Sequence, residues 1–273
     1  MTTAEAILTV GVWQDSGALG DVAANMATIS RATAQASRRG VDLLVFPECF
    51  LTGYFNREKT ERIARQVDQD TFCALQAVAK SNSTAILVGH YEIRDGGLYN
   101  VALLIGDDGA ILGKYRKRAL YGEWEKSTFL RGTEPVLVEL RGITIGVLIC
   151  FDIEFPELAR ECARNGADLI AVPTSLMEPY GHIARHVVPA RAIENQLYIA
   201  YANRAGAEHE LRYVGRSAIY DPQGTALAEA TDDGQELLVA TIAKSAVSAA
   251  RSEFSYLEQA SRFFGLNTNG QPN

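Results

Sequence analysis

Short apolar runs alternate with stretches of helical spacing along most of the chain. The run at 6–14, AILTVGVWQ, predicts a first strand. Residues 21–39 place apolar side chains at helical intervals, and Gly40 stops them. VDLLVF at 41–46 reads as a buried strand whose apolar run ends at Pro47. The spacing then predicts a helix over 71–80 and a strand over 84–92. Residues 99–117 read as two strands around Asp107-Asp108-Gly109, a hairpin signal. A strand at 143–150 precedes a helix that starts near Pro156 and ends at Asn165-Gly166. A strand at 168–173, a helix at 187–196 and a strand at 197–203 follow. Further strands are predicted within 217–230 and at 236–242.

One segment occurs twice in altered form. RGVDLLVFPE (39–48) and NGADLIAVPT (165–174) share a glycine, a small residue, an aspartate, four apolar residues and a proline. Each copy follows a strand and then a helix. Helix caps before buried strands produce such likenesses by themselves; two pseudo-equivalent halves also account for it. On the second reading each half is a sheet with helices on one face. The two sheets then pack together as a four-layer αββα sandwich of the α/β class. Residues 1–245 form the domain, and 246–273 are left as a tail. The tail carries Phe254, Tyr256, Phe263 and Phe264. Aromatic side chains in a polar tail dock on something, either the chain's own core or a second subunit.

Composition narrows the function classes. The 273 residues are 47% hydrophobic and 22% charged, enough to bury a large core. A net charge of -7 with no basic run argues against nucleic acid as a partner. No apolar stretch approaches the ~18 residues of a membrane span. MTTAEAILTVGVWQ has no basic region or cleavage site and reads as the first strand, so a cytoplasmic setting is expected. Cys49, Cys73, Cys150 and Cys162 show no paired spacing and no histidine pattern beside them. Neither disulfides nor a metal are expected.

Three chemically able side chains stand at predicted strand ends. Strand 41–46 leads to Pro47-Glu48, strand 110–117 ends in Lys117, and strand 143–150 ends in Cys150. Ligand and catalytic groups favour such edges. Each also has a plainer reading: Glu48 as a turn acid, Lys117 as part of a solvated KYRKR face, Cys150 as a small core residue. As a set they fit one chemistry. A thiol is a weak nucleophile until it ionises. A carboxylate takes its proton, and an ammonium stabilises the thiolate and the oxyanion that follows. The helix from Pro156 adds a positive end near the same corner.

FPECFLTGY (46–54), GKYRKRAL (113–120) with EKSTFLRG (125–132), and ICFDIEFPE (149–157) resemble, in order and spacing, the three signature blocks of the nitrilase superfamily of carbon–nitrogen hydrolases. The resemblance spans about residues 6–242. It implies the same αββα fold, no metal or organic cofactor, and a homodimer or larger homo-oligomer. It also implies a catalytic set of Glu48, Lys117 and Cys150. A second glutamate beside the lysine falls on Glu125, with Glu123 as the other candidate. The chain departs from the usual blocks twice: Ala119 replaces a histidine, and Phe151 a common tyrosine.

Within the superfamily, Cys-Phe-Asp resembles the amidase-like branches rather than the Cys-Trp-Glu of true nitrilases. Carbamoyl hydrolases that grip a substrate carboxylate carry arginines just after the cysteine. Here those places hold Ile153 and Glu154. PTSLMEPYG (173–181), PARAIENQLYIAYANRAGAE (189–208) and YGEWEKSTFLRG (121–132) resemble bacterial amidases of short aliphatic and ω-amino amides. The implied reaction is hydrolysis of a small primary amide through a thioester, with hydrolysis of carbamoyl compounds as the rival and of nitriles as a minor activity. Tyr54, Trp124, Phe151 and Ser175 are the expected pocket residues, with Met177 and Tyr180 beside them. Trp124 and Tyr180 fit a core or interface role equally well. Glu123 and Glu178 are expected near the pocket, where they would draw a cationic substrate.

Overall fold

The apolar runs form two six-stranded sheets in the computed structural model, which describes residues 5–263. The first half of the chain supplies β1 (Ile7–Gln14), β2 (Leu43–Val45), β3 (Ala85–Arg94), β4 (Gly97–Ile105) and β5 (Ile111–Arg116). The second supplies β6 (Leu137–Leu140), β7 (Ile143–Val147), β8 (Leu169–Pro173) and β9 (Tyr198–Ala202). A short ribbon of β10 (Ala207–Glu208) and β11 (Leu211–Arg212) comes next, then β12 (Ala218–Tyr220) and β13 (Ala226–Glu229). β14 (Glu236–Ala243) returns to pair antiparallel with β1.

The sheet orders are β14-β1-β2-β3-β4-β5 and β13-β12-β9-β8-β7-β6. In each sheet three parallel strands sit side by side, flanked by antiparallel ones. Helices α1 (Val22–Arg38), α2 (Thr60–Ala64) and α3 (Gln69–Asn82) belong to the first half. Next come α4 (Gly122–Thr128), α5 (Pro156–Arg164) and α6 (Val188–Asn195). Strand side chains alternate between two faces. Leu44, Ile86 and Val88 therefore join Ile29, Ala32, Leu75 and Ala79 of α1 and α3 in an outer core. Leu43, Val45, Ala85 and Leu87 join the core shared with the second sheet. The fold is the four-layer αββα sandwich that the repeat predicts.

The repeated segments have the same backbone roles. Asp42 accepts the Thr9 N–H at 2.8 Å through Oδ2 and donates its own N–H to the Thr9 carbonyl at 2.8 Å. Asp168 does the same with Thr144, at 2.9 and 2.8 Å. Each aspartate carbonyl then accepts the first N–H of the third parallel strand, from Ala85 and from Tyr198. The shared aspartate thus stitches three strand starts together in both sheets.

Two boundaries move. The strand expected over 143–150 ends at Val147. Beyond β14 the chain forms α7 (Lys244–Glu253), whose Val247 and Ala250 are buried against the protein's own core, and then α8 (Tyr256–Phe263). Phe254, Tyr256 and Phe263 are exposed, Phe263 by 80%. Phe264 lies outside the described residues. Among the described residues no helix is long and apolar enough to cross a membrane.

Candidate active site

β2 ends before Phe46, and the chain turns at Pro47 to point Glu48 toward the second sheet, where its N–H donates to the Thr174 carbonyl at 3.3 Å. The turn presses on β3. A Cβ at Gly89 would stand 2.2 Å from the Cys49 nitrogen, so only glycine lets the two backbones pass. Lys117 follows β5 and is held on both sides: its N–H donates to Asn100 O at 2.9 Å, and its carbonyl accepts the Gly132 N–H at 2.8 Å. Glu125 comes from α4.

These three side chains meet with no exposure to solvent. Lys117 Nζ donates to Glu48 Oε1 and to Glu125 Oε1, each at 2.7 Å. Asn100 Nδ2 also donates to Glu48 Oε1, at 2.7 Å. Glu125 accepts the Tyr54 hydroxyl and the Tyr121 N–H, both at 2.7 Å. Among the described residues Glu48 Oε2 has no hydrogen-bond partner. A buried carboxylate oxygen without a donor is costly and marks a place where a proton or water belongs. Burial disfavours the charge on Lys117, but Glu125 and Glu48 outweigh it and hold the ammonium well above the ordinary lysine range. Burial pushes the Glu125 carboxyl up, with Lys117 opposing and Glu48 adding to the rise.

Cys150 opens a 3-10 turn, Cys150–Glu154, with a positive φ of 47°. A left-handed cysteine is an unfavourable backbone conformation that needs outside support. Asp152 supplies it. Its Oδ2 accepts the Ile149 N–H at 3.0 Å and the Tyr115 hydroxyl at 2.8 Å. Its Oδ1 accepts the Ala119 N–H at 2.6 Å and the Arg118 N–H at 3.3 Å. The same carboxylate therefore fixes the cysteine turn and the segment after Lys117. At Ala119 the backbone makes this link, and Lys117 is oriented by its two glutamates without help from a side chain there. Burial pushes the Cys150 thiol well above its ordinary range; Glu48 adds to this, while Lys117 and the Ser175 N–H oppose it. The resting group is a thiol that needs a base.

Cys150 forms part of a cavity of about 330 Å³. Tyr54, Phe151, Ser175, Met177 and Tyr180 line it. Ser175 is fully buried, and its hydroxyl donates to the Glu48 carbonyl at 3.4 Å. Trp124 is not on the wall; it packs edge-on behind Tyr54 and against Phe55, with ring centroids 5.5 and 4.9 Å away. Its indole supports the tyrosine rather than the cavity. Glu123 is exposed and faces Lys126 at 3.2 Å, so Glu125 is the glutamate beside the lysine. Glu178 is exposed and off the wall. The carboxylate on the wall is Glu154.

Sequence reasoning missed Arg204 and Glu208. Arg204 is fully buried, pairs with Glu208 at 2.9 Å, and donates to the carbonyls of Glu48 at 3.2 Å and Cys49 at 2.9 Å. Glu208 accepts the N–H groups of Tyr54 and Phe55. The pair braces the Glu48 turn and the segment that follows it. Arg204 stands just past β9, and the strand-end rule that found Glu48 would have found it too. Asn100 lies within β4 and carries no such signal. Among the described residues no group of three or more acidic, histidine or cysteine side chains is placed to hold a metal.

Residues 9–252 match the family model for carbon–nitrogen hydrolases, and the chain belongs to that family, within the nitrilase superfamily. It is a hydrolase of carbon–nitrogen bonds other than peptide bonds. It is 41% identical to a hydrolase encoded in the pqqF 5′ region of Pseudomonas protegens, over 87% of this chain and 83% of the relative. It is 35% identical to an (R)-stereoselective amidase of a Pseudomonas species, over 90% and 88%. The crystal structure of an amidase from a Nesterenkonia species superposes with a TM-score of 0.83 at 29% identity, covering 93% of this chain and 96% of that one. A substituted form of that amidase carries acrylamide added to its active-site cysteine.

Proposed function

We propose that the chain hydrolyses primary amides of short aliphatic or ω-amino carboxylic acids to the acid and ammonia, through a thioester on Cys150. The observation that carries this reading is the buried Glu48–Lys117–Glu125 cluster, with one glutamate oxygen unpartnered among the described residues, together with the Cys150 thiol at the wall of a small cavity. The amidase relatives, one with acrylamide on its cysteine, support it.

Glu48 takes the thiol proton as the sulfur attacks the amide carbonyl. Lys117 and the Phe151 N–H stabilise the oxyanion, a contribution of about 10²–10³ in rate per donor. The tetrahedral intermediate collapses, the C–N bond breaks, and the proton held by Glu48 goes to the departing nitrogen as ammonia. Glu48 then removes a proton from water, which attacks the thioester and releases the acid with the thiol restored. Glu125 positions the substrate amide and, with Tyr54, fixes the lysine. No metal or organic cofactor enters.

Carbamoyl hydrolysis is the rival. Against the carboxylate-bearing substrates of that class stand Ile153, which is buried, and Glu154, which repels a carboxylate. An ammonia-release screen over aliphatic amides, ω-amino amides, nitriles and carbamoyl compounds decides the matter. Release from amides without carbon dioxide is expected; carbon dioxide in equal amount, or turnover of nitriles alone, overturns the reading. The exposed aromatics Phe254, Tyr256 and Phe263 at the chain end suit a contact with a second copy. A homodimer or larger homo-oligomer is therefore the proposed assembly, and a monomer mass by light scattering at micromolar concentration would contradict it.

A further inference from the structure

The reacting carbonyl leaves one part of the cavity without a role. Glu154 stands on its wall, half-buried, at the far end of the 3-10 turn that begins with Cys150. A rise of about 2 Å per residue puts the two backbones roughly 8 Å apart along the turn. Among the described residues the Glu154 carboxylate has neither an ion pair nor a hydrogen bond, and two of the cations that act on it, Arg191 and Lys117, are engaged elsewhere. Arg191 lies behind it but gives Nε to the Ile153 carbonyl, Nη2 to the Glu154 carbonyl and Nη1 to Glu194, each at 2.9 Å. Lys117 is committed to Glu48 and Glu125. His182 shares the wall. Burial pushes the Glu154 carboxyl up, with His182, Lys117 and Arg191 opposing. Such a group gains from a cation delivered into the cavity.

The neighbouring wall suits that cation. Tyr121, Phe151 and Tyr180 line the same cavity, with Tyr121 in edge contact with Phe151 at 5.4 Å and with Tyr180 at 6.3 Å. Aromatic faces attract ammonium groups, more so once desolvated. We propose that Glu154 selects the far end of the substrate, taking an ammonium group separated from the scissile amide by a short aliphatic chain and seated among Tyr121, Phe151 and Tyr180. The carboxylates at Glu123 and Glu178, expected from sequence to do this, lie off the wall; Glu154 replaces them. The proposal rests on the amide reading above and narrows it from aliphatic amides to cationic ones.

The test compares kcat/KM for 5-aminopentanamide and pentanamide. The native enzyme is expected to favour the amino amide at least tenfold, chiefly through KM, and to lose part of that preference at high salt. Glu154→Gln should bring the ratio of the two amides close to one. Glu154→Arg should lower it further and raise turnover of the amide that carries a terminal carboxylate in place of the amine. A native ratio near one with pentanamide turned over overturns the proposal and leaves the amide reading standing. So does a ratio that survives both substitutions. Ammonia from neither amide overturns the amide reading, and the proposal falls with it.

Discussion

The two halves of the molecule share one frame and end it differently. Asp42 and Asp168 make matching hydrogen bonds at the starts of β2 and β8, and each half sends three parallel strands into the same core. At the ends of these strands the likeness stops. β2 leads into Pro47-Glu48, whereas β8 closes on Pro173 and is followed by Thr174-Ser175. β7 leads into the strained Cys150 turn. The first half brings the buried ion pair of Glu48 and Lys117; the second brings the Cys150 thiol and a serine hydroxyl that donates to the Glu48 carbonyl. The repeated frame sets stability, and the unrepeated strand ends set chemistry. A site built across two sheets in this way depends on the faces staying in register, which is why so many backbone bonds converge on Glu48.

The sharpest way to separate frame from chemistry is to compare Cys150 with Cys49, whose backbone is also left-handed, with a φ of 49°. Cys150→Ala should reduce amide hydrolysis by more than about 10³-fold, with the melting temperature little changed. Cys49→Ala, which loses a contact from its thiol to Asn100, should keep most of the activity. Comparable activity in both variants would remove Cys150 from the mechanism. Lys117→Ala tests the first half's contribution. It leaves Glu48 and Glu125 buried without their cation, so a loss of about 3–5 kcal/mol on denaturant unfolding is expected together with loss of turnover. A variant as stable as the parent would mean that the cluster is not held by the lysine.

The smallest effects belong to the frame. Asp42→Ala and Asp168→Ala should each cost about 1–3 kcal/mol, since each strands a Thr N–H, and should leave kcat near the native value in the folded enzyme. Each aspartate also meets a cation, Asp42 with Arg141 at 2.8 Å and Asp168 with Lys244 at 3.1 Å, but Asp168 is the more buried, so its loss should be the larger. Urea titrations of both variants check this; a neutral Asp42→Ala beside a severe Asp168→Ala would end the equivalence of the halves.

Much of this was legible in the sequence because parallel strands buried on both faces read as unbroken apolar runs. Glu48, Lys117 and Cys150 stand where such runs stop, and the repeated Gly-x-Asp announced the second sheet. The end of the strand before Cys150 was placed three residues too far along. Leu148 and Ile149 are buried like strand residues, but they lead out of β7 into the turn, where Asp152 takes the Ile149 N–H, and burial alone does not mark that change. Trp124 was placed in the pocket by its neighbourhood in the chain. A short helix turns Glu125 inward and Trp124 behind Tyr54, and the single residue between those outcomes is not resolved by a motif. Glu154 was noticed as a missing arginine rather than as a carboxylate with a place on the wall. Arg204 stands at a strand end like Glu48, but its partners at Glu48 and Cys49 lie some 155 residues away, and those of Glu208 at Tyr54 and Phe55 are as distant, so no local pattern shows what the pair holds.

The central claim is that amide hydrolysis passes through a thioester on Cys150 formed with Glu48 as the base. Acid quenching during steady turnover of a short aliphatic amide, followed by intact-mass measurement and peptide mapping, tests it directly. The expected result is one acyl group per chain, located on the peptide that contains Cys150 and absent from Cys150→Ala and Glu48→Gln. Steady ammonia release with no acyl group on any cysteine, or an acyl group confined to another residue, would contradict the account.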